Sequence, residues 1–474
     1  MRWRSTGRFM GQFIVQFIVQ CMGRRFLGVI LSCAMLMAWP GVPMALDRDE
    51  ARHLLLRTGF GASPEDIATF AALSRAQAVR RLLDGAQTRA ESGPPAWTAE
   101  TRNIYPRLTG LNADERRALV RMRVAQSLEL KSWWYGEMLA TRSPLTERMT
   151  LFWHNHFTSG LSKVRAPHLL YRQNVLLRAE GLGNFARLLH AVARDPAMVA
   201  YLDNSLNRRQ QPNENFAREL LELFTLGEGH YGERDIKEAA RAFTGWTLDR
   251  DSGRFVFNAR AHDFSDKSFL GRRGSFDGGD ILDILLAQRR TAEFVVEKLW
   301  REFVSPMPDA VEVARLAATF RDSGYDIRSV MQALLTSPAF WDPRHRGELV
   351  KSPVELLVGT IRSFESTPVD TVTLARYGRR LGQDLFDPPN VKGWPGYTAW
   401  ITSDTLLVRE QFLQRLLRGD ALGEKPAMAA LPPDEVAALL LPRPPVGGVD
   451  VGSGGGERRS RFAAAMLDPV YQLK

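Results

Sequence analysis

The 474-residue chain reads as a mainly α-helical protein, a single large multi-helix domain with at most a small β-hairpin near residues 254–270. Three observations predict this. Apolar residues recur at three- and four-residue spacing along most of the chain, Ser-Pro and Asp-Pro pairs mark helix starts, and strand-like alternation is confined to one short stretch. Hydrophobic residues at 45% and charged residues at 24% suffice for a sizeable core.

Residues 1–45 have the three parts of a cleavable secretory signal. Arg24 and Arg25 give a charged start and Phe26–Trp39 an apolar run, and Pro40, Gly41 and Pro43 then break the helix before a cleavage point after Ala45. The apolar run falls short of the roughly 20 residues that span a bilayer, so no stable membrane span is expected after cleavage. Gln12-Phe-Ile-Val is repeated at Gln16-Phe-Ile-Val, and Met22 begins a conventional signal by itself, which is compatible with residues 1–21 being a misassigned start. The expected location is periplasmic or secreted.

The leader also accounts for two features of the whole chain. Five arginines and no acid lie within residues 1–46, so much of the formal +10 charge leaves with them: 58 basic residues then face 53 acidic ones. No Lys/Arg run marks a nucleic-acid-binding stripe, so nucleic acid is not an expected partner. Both cysteines, Cys21 and Cys33, also fall in the leader. The mature chain therefore has no disulfide, thiol nucleophile or thiolate metal ligand.

The helical domain spans residues 46–442. Ser63-Pro64-Glu65-Asp66 places a capping side chain, a proline at the first helical position and an acid three residues on. The same pattern recurs at Ser143-Pro144, Asp195-Pro196, Ser337-Pro338 and Ser352-Pro353. Proline is harmless there because its missing N–H has no intrahelical partner. Gly85, Gly181, Gly245 and Gly382 stand where helices stop. Between these marks, 114–140, 167–179, 235–243 and 404–417 carry helical apolar periodicity. The only strand signal is Arg254–Asn258, expected to pair with Ser268–Leu270. Residues 443–474 are read as a flexible tail that begins with Pro444, Pro445 and a run of glycines, with residues 458–474 either docking back as a short helix or remaining loose.

Four segments carry candidate chemistry. Phe152-Trp-His-Asn-His-Phe157 ends the helix opening at Pro144. Residues two apart differ by about 200° around a helix, so His154 and His156 converge on one ion only if the helix stops near Asn155. The alternative is one packed and one capping histidine. In Pro212-Asn-Glu-Asn-Phe-Ala-Arg-Glu-Leu220 and the turns after it, Asn215, Glu219 and Glu222 form one stripe, with Glu214 and Arg218 adjoining. Carboxylates a turn apart hold a divalent ion or divide acid and base work if they face a cleft; a solvated face with a Glu214–Arg218 pair explains the same letters. Ala261-His262-Asp263-Phe264 lies on a loop in the strand-like region. In Pro388–Trp400, prolines and glycines forbid regular structure, while Trp394, Tyr397 and Trp400 either plug a core or line a binding groove. Walker, dinucleotide, His-Glu-x-x-His and Gly-x-Ser-x-Gly signatures do not occur.

Taken together, the chain resembles the bacterial family catalogued as domain of unknown function 1800. The motifs that carry the resemblance run from His53-Leu-Leu-Leu-Arg-Thr-Gly-Phe-Gly61 through Phe152–Phe157, Tyr201-Leu-Asp-Asn204, Pro212–Leu220 and Phe243-Thr-Gly-Trp246. They continue with His262-Asp263, Lys351-Ser-Pro-Val-Glu-Leu356 and Pro388-Pro-Asn-Val-Lys-Gly-Trp-Pro395. The resemblance implies an exported protein, often encoded beside a sulfatase-like companion, and supplies no reaction. It strengthens the expectation of one shared polar site. In that site His154, His156, Glu219, His262 and Asp263 would ligate a divalent metal such as zinc, iron or manganese. Glu214 or Glu219 would serve as base in a metal-dependent hydrolase acting on an envelope or extracellular substrate. The competing expectation is a non-catalytic binding or assembly module working with the companion protein through Trp394, Tyr397 and Trp400.

Overall fold

The computed structural model describes residues 44–106, 109–364, 369–418, 438–446 and 463–474. The leader, apart from Met44 and Ala45, and the glycine-rich run at 447–462 lie outside the described residues. Leu46–Lys474 groups as one unit, mainly α-helical as the periodicity predicts. Its helices are α1 (Arg48–Thr58), α2 (Pro64–Ala71), α3 (Arg75–Asp84), the long α4 (Ala113–Ala140), α5 (Pro144–His156), α6 (Leu161–Val164), α7 (Pro167–Glu180), α8 (Phe185–Ala193), α9 (Pro196–Tyr201), α10 (Asn215–Glu219) and α11 (Glu233–Ala242). Further on come α12 (Gly278–Ala287), α13 (Arg289–Phe303), α14 (Ala310–Asp322), α15 (Ile327–Leu335), α16 (Pro338–Trp341), α17 (Pro353–Ser363), α18 (Thr371–Arg380) and α19 (Ser403–Arg418). Among the described residues, no helix is long and apolar enough to cross a membrane.

The start signals work as their chemistry requires. Helices begin at Pro64, Pro144, Pro196, Pro338 and Pro353. Reciprocal capping boxes join Ser63 with Asp66 and Ser352 with Glu355, each supplying partners for backbone N–H groups that the helix leaves open. Ser143 is the exception: its hydroxyl shares a hydrogen with Thr146 Oγ1 at 2.8 Å and caps no backbone group.

Among the described residues, strands occur only as two ribbons, and their pairing corrects the expected hairpin. Arg254–Phe257 (β2) pairs backward with Trp246–Asp249 (β1), and Lys267–Phe269 (β3) pairs forward with Arg272–Gly274 (β4). The intervening loop did not reveal this, because each strand finds a partner across a tight turn, which closes with less entropy loss than a ten-residue loop. Gly253 shows how tightly the β1–β2 turn is seated: a Cβ there would lie 2.6 Å from Ile104 Cγ2.

The flexible-tail expectation is corrected for the last residues, which take the docked alternative. Residues 463–474 return to the core, with Met466, Val470 and Tyr471 buried. Leu473 bridges to Val350, Lys351 N donates to Gln472 O at 2.7 Å, and the Tyr471 hydroxyl pairs with Thr360 Oγ1 at 2.8 Å. Lys474 pairs with Glu355, which also holds Arg148 at 2.7 Å. Composition flagged the glycines at 447–456 and obscured the apolar, aromatic residues after them.

Candidate functional site

Helix α5 runs through His156, with Phe157 as its C-cap, so the early stop needed for the two histidines to converge does not occur. They point to different surroundings. His154 is buried between Trp134, Phe386 and Trp394, at ring-centroid distances of 5.6, 5.5 and 5.4 Å. It makes no hydrogen bond among the described residues, and its Nε2 is buried without a partner. Burial in this apolar cage pushes its pKa down to about 3, so at neutral pH it is an uncharged, packed ring. His156 is buried on another side, against Phe152, Trp153 and Phe157, and its Nε2 donates to Phe224 O at 3.2 Å in the tautomer protonated there. Burial, and then the nearby Lys298 ammonium, hold it well below the ordinary histidine range.

The residue between the histidines is the one that connects elements. Asn155 Oδ1 accepts the backbone N–H of Trp394 at 2.7 Å. Gly393 has φ +88° and lies so close that a Cβ would sit 2.2 Å from that oxygen. The Pro388–Trp400 loop is thereby fixed to the end of α5. Trp394 and Trp400 are buried, serving as plugs, while Tyr397 remains 43% exposed at the loop's outer edge.

The acidic helix meets the same loop. After α10 the chain widens into a π turn, Leu220–Thr225, in which Leu226 N donates to Leu221 O at 2.9 Å. Such turns need specific partners and recur at functional positions. Here Thr225 Oγ1 donates to Leu220 O at 2.7 Å and Lys298 Nζ to Leu223 O at 2.8 Å. Glu222 accepts from the Tyr231 hydroxyl at 3.2 Å, and Lys392 of the loop stands 4.0 Å from it. Glu219 is half-buried and has no hydrogen bond or ion pair among the described residues. Its pKa is raised by burial and by the neighbouring Glu222, with Lys392 and Arg218 offsetting part of that. Tyr201 borders this group: burial and then the Asp387 and Glu219 carboxylates raise its phenol pKa, and the Lys163 ammonium lies 5.5 Å over its ring. Asp387 accepts Ser162 N at 2.8 Å, and Lys163 pairs with Asp203 at 2.7 Å.

The remaining candidates serve elsewhere. Glu214 pairs with Arg218 at 3.2 Å, and Arg218 continues to Glu233 at 2.9 Å, a surface network as the bland reading of this helix has it. His262 is buried between Phe257 and Phe264, bonded through Nδ1 to Thr244 O at 2.8 Å. Asp263 accepts from Arg241 Nε at 2.7 Å and from Ser265 N at 2.9 Å; burial raises its pKa, but these partners more than offset that and hold it below the usual carboxylate range. It ties the 262–266 loop to α11.

The structure thus brings His154 together with Trp394, and Glu219 and Glu222 near Lys392, but leaves His156, Glu214 and the His262–Asp263 pair apart. Among the described residues, no three His, Cys, Asp or Glu side chains come together so as to hold a metal ion. The expected five-ligand metal site does not assemble. A cavity of about 870 Å³ bordered by Gly59, Ser63, Arg81, Arg142 and Arg362 is lined by none of the candidate residues.

Sequence reasoning missed Asn155, although it lies inside the His-Asn-His motif, because a buried asparagine that bonds a distant backbone leaves no periodic signal. It also missed Glu147, buried in the first turn of α5. Glu147 accepts two bonds from Arg178 at 2.6 and 2.8 Å and one from Trp134 Nε1 at 2.7 Å.

Fold and site together define a mainly α-helical protein in which an aromatic loop closes over the end of α5, beside the Glu219–Glu222 turn. A family model described as Protein of unknown function (DUF1800) matches residues 53–465, nearly the whole chain, and the chain belongs to that family. No curated protein and no solved structure matches it.

Proposed function

We propose that the chain is an exported, non-catalytic binding or assembly module of the cell envelope. Its contact is the face built from the Pro388–Trp400 loop and the Glu219–Glu222 turn, and its partner is the sulfatase-like companion implied by the family resemblance. The observation that supports this is the state of His154. A metal ligand needs an accessible lone pair aimed at other ligands, whereas His154 is sealed among three aromatic rings and carries the buried side of the loop. The outer side of that loop presents Lys392, Pro395 and Tyr397 to a partner. Buried aromatic anchors with an exposed polar and aromatic edge make a rigid contact with little ordering cost.

A second reading, hydrolysis, keeps support from Glu219 alone: an unpaired, half-buried carboxyl with a raised pKa is suited to general acid–base work. One experiment separates the two. The protein from Leu46, purified without chelator, is assayed for metal and for retention of the co-expressed companion, beside Lys392→Glu/Tyr397→Ala and Glu219→Gln. Retention lost in the loop variant and kept in Glu219→Gln supports the module. Near-stoichiometric metal lost in folded His154→Ala, or turnover abolished by Glu219→Gln, overturns it in favour of the enzyme.

A further inference from the structure

Five arginines, from α4, the α6–α7 link, α7 and the β1–β2 ribbon, gather beside the Ile104–Pro106 strap without an ion pair to a carboxylate among the described residues. Ile104 N and Tyr105 N donate to Asp251 O and Arg250 O, both at 2.9 Å, fixing the strap to the β1–β2 turn. Arg250 stacks its guanidinium 4.2 Å over the Tyr105 ring, and its Nε is buried without a partner. Arg172 of α7 donates to Ser252 O at 2.8 Å in the same turn. Arg123 of α4 reaches Pro106 O at 3.4 Å, and Arg165, at φ +55° between α6 and α7, donates only to Ser162 O at 3.3 Å. Arg254 starts β2, opposite Asp249.

No ion pair links any of the five to an acid among the described residues. The nearby acids are engaged with backbone: Asp249 Oδ1 accepts Ser252 N, and Asp251 Oδ1 accepts Asn103 N, each at 2.8 Å. Other arginines do pair, as Arg117 does with Asp114 and Arg187 with Glu180. The like charges also repel: the pKa values of Arg123 and Arg172 are lowered, by burial first and then, apart from nearby Tyr105 and Asp195 acting the other way, by Arg165 and Arg250 in one case and Arg254 in the other. Five guanidinium groups without an ion pair among the described residues, only partly offset by Asp195, Asp249 and Asp251, leave a net positive charge for an external anion.

The same region exposes apolar side chains. On α4, Val120 is 51% and Val124 64% exposed, and both lie within one turn of Arg123. Val256, 42% exposed, is two residues from Arg254 and so on the same face of β2. A soluble phosphate ligand gains nothing from exposed valines. A bilayer surface satisfies both features, with headgroup phosphates on the arginines and the valines in the acyl boundary.

We propose that Arg123, Arg165, Arg172, Arg250 and Arg254, with Val120, Val124 and Val256, form a docking surface for the anionic phosphate headgroups of a lipid membrane. The chain then lies on the envelope's lipid without crossing it.

The test is co-sedimentation of the protein from Leu46, which groups as one unit, with phosphatidylcholine vesicles and with vesicles containing phosphatidylglycerol. Binding to the anionic vesicles alone is expected, weakened by salt. The exposed double variant Arg165→Glu/Arg254→Glu, with an unchanged thermal melt, should lose affinity roughly thirtyfold or more, and Val120→Ser/Val124→Ser should reduce the part that survives high salt. Equal sedimentation with both vesicle types, or undiminished binding by the folded double glutamate variant, overturns the proposal. So does full displacement by millimolar pyrophosphate at constant ionic strength, which would assign the arginines to a soluble phosphate ligand.

Discussion

Asn155 and Trp394, 239 residues apart, are joined by a 2.7 Å bond from the Trp394 backbone N–H to the Asn155 side-chain oxygen. Through it the end of α5 sets the position of the whole aromatic loop. Asn155→Ala leaves that N–H without its partner and should lower stability by about 1–3 kcal/mol. Gly393→Ala should cost at least as much, because the positive φ and the contact with Asn155 both oppose a methyl group. Urea unfolding checks both. A midpoint unchanged in Gly393→Ala would show that the loop is not held there.

His154 offers a proton-linked test. Its folded pKa of about 3 lies far below the unfolded value of roughly 6.5. Between these values the unfolded chain binds a proton that the native state excludes, so stability is full above pH 6.5 and falls as pH drops toward 3. Buried His53 and His156 act in the same direction, and Asp195, pushed up to about 7 by burial, acts against them. His154→Phe keeps the aromatic cage filled and removes one titrating group, so its stability–pH slope over this window should be shallower by about one proton. An identical slope in the two proteins contradicts the buried, neutral assignment.

Glu219 should respond in the other direction. A carboxyl whose pKa is raised on folding favours the native state at low pH and opposes it above about 4.5. Glu219→Gln is therefore expected to be neutral or to stabilise by up to about 0.5 kcal/mol at pH 7, the small size reflecting partial exposure. Chemical denaturation at pH 7 and pH 4 reads the difference; a marked loss at pH 7 would mean that the carboxylate holds the fold together.

Arg178 and Glu147 form a pair whose side chains are each 1% exposed. Arg178→Met leaves a buried carboxylate with only Trp134 to bond it, and should destabilise by roughly 3–5 kcal/mol. Soluble yield and melting temperature report it, with a surface pair such as Arg117 and Asp114 as the comparison that should change little.

Tyr471→Phe removes the bond to Thr360 and should cost about 1 kcal/mol, while deletion of residues 463–474 should abolish cooperative unfolding. A truncated chain that melts like the parent would mean that this segment merely rests on the surface.

Much of the fold was legible in the sequence because its signals are local. Pro64, Pro144, Pro196, Pro338 and Pro353 open helices for a reason contained within four residues, and the 113–140 and 403–418 helices follow their apolar spacing. The histidine pair was legible as a segment, but its two rings take different surroundings. Its convergence depended on where α5 stops, and that is decided by tertiary packing: Phe157 continues the chain into the cluster with Trp153 and Phe185. The ribbons at 246–274 differ from the expected hairpin because the partners of Arg254–Phe257 and Lys267–Phe269 lie across short turns, at Trp246–Asp249 and Arg272–Gly274, neither of which is expected as a strand from the sequence. Glu147 with Arg178, and Asn155 with Trp394, are relationships between distant positions that no single sequence displays.

The two ends of the described unit depend on the same middle region. Arg57 in α1 donates to the carbonyls of Phe303, Val304 and His345, and Lys351 donates to that of Tyr471. The Arg57 side chain thus lacks its carbonyl partners until the chain has been made some 250 positions further on, and the slot beside Lys351 stays open until the last dozen residues arrive. Contacts this remote in sequence form late and slowly. The architecture carries its own delay: the contacts that seat Arg57 and Lys351 wait on residues made far later in the chain.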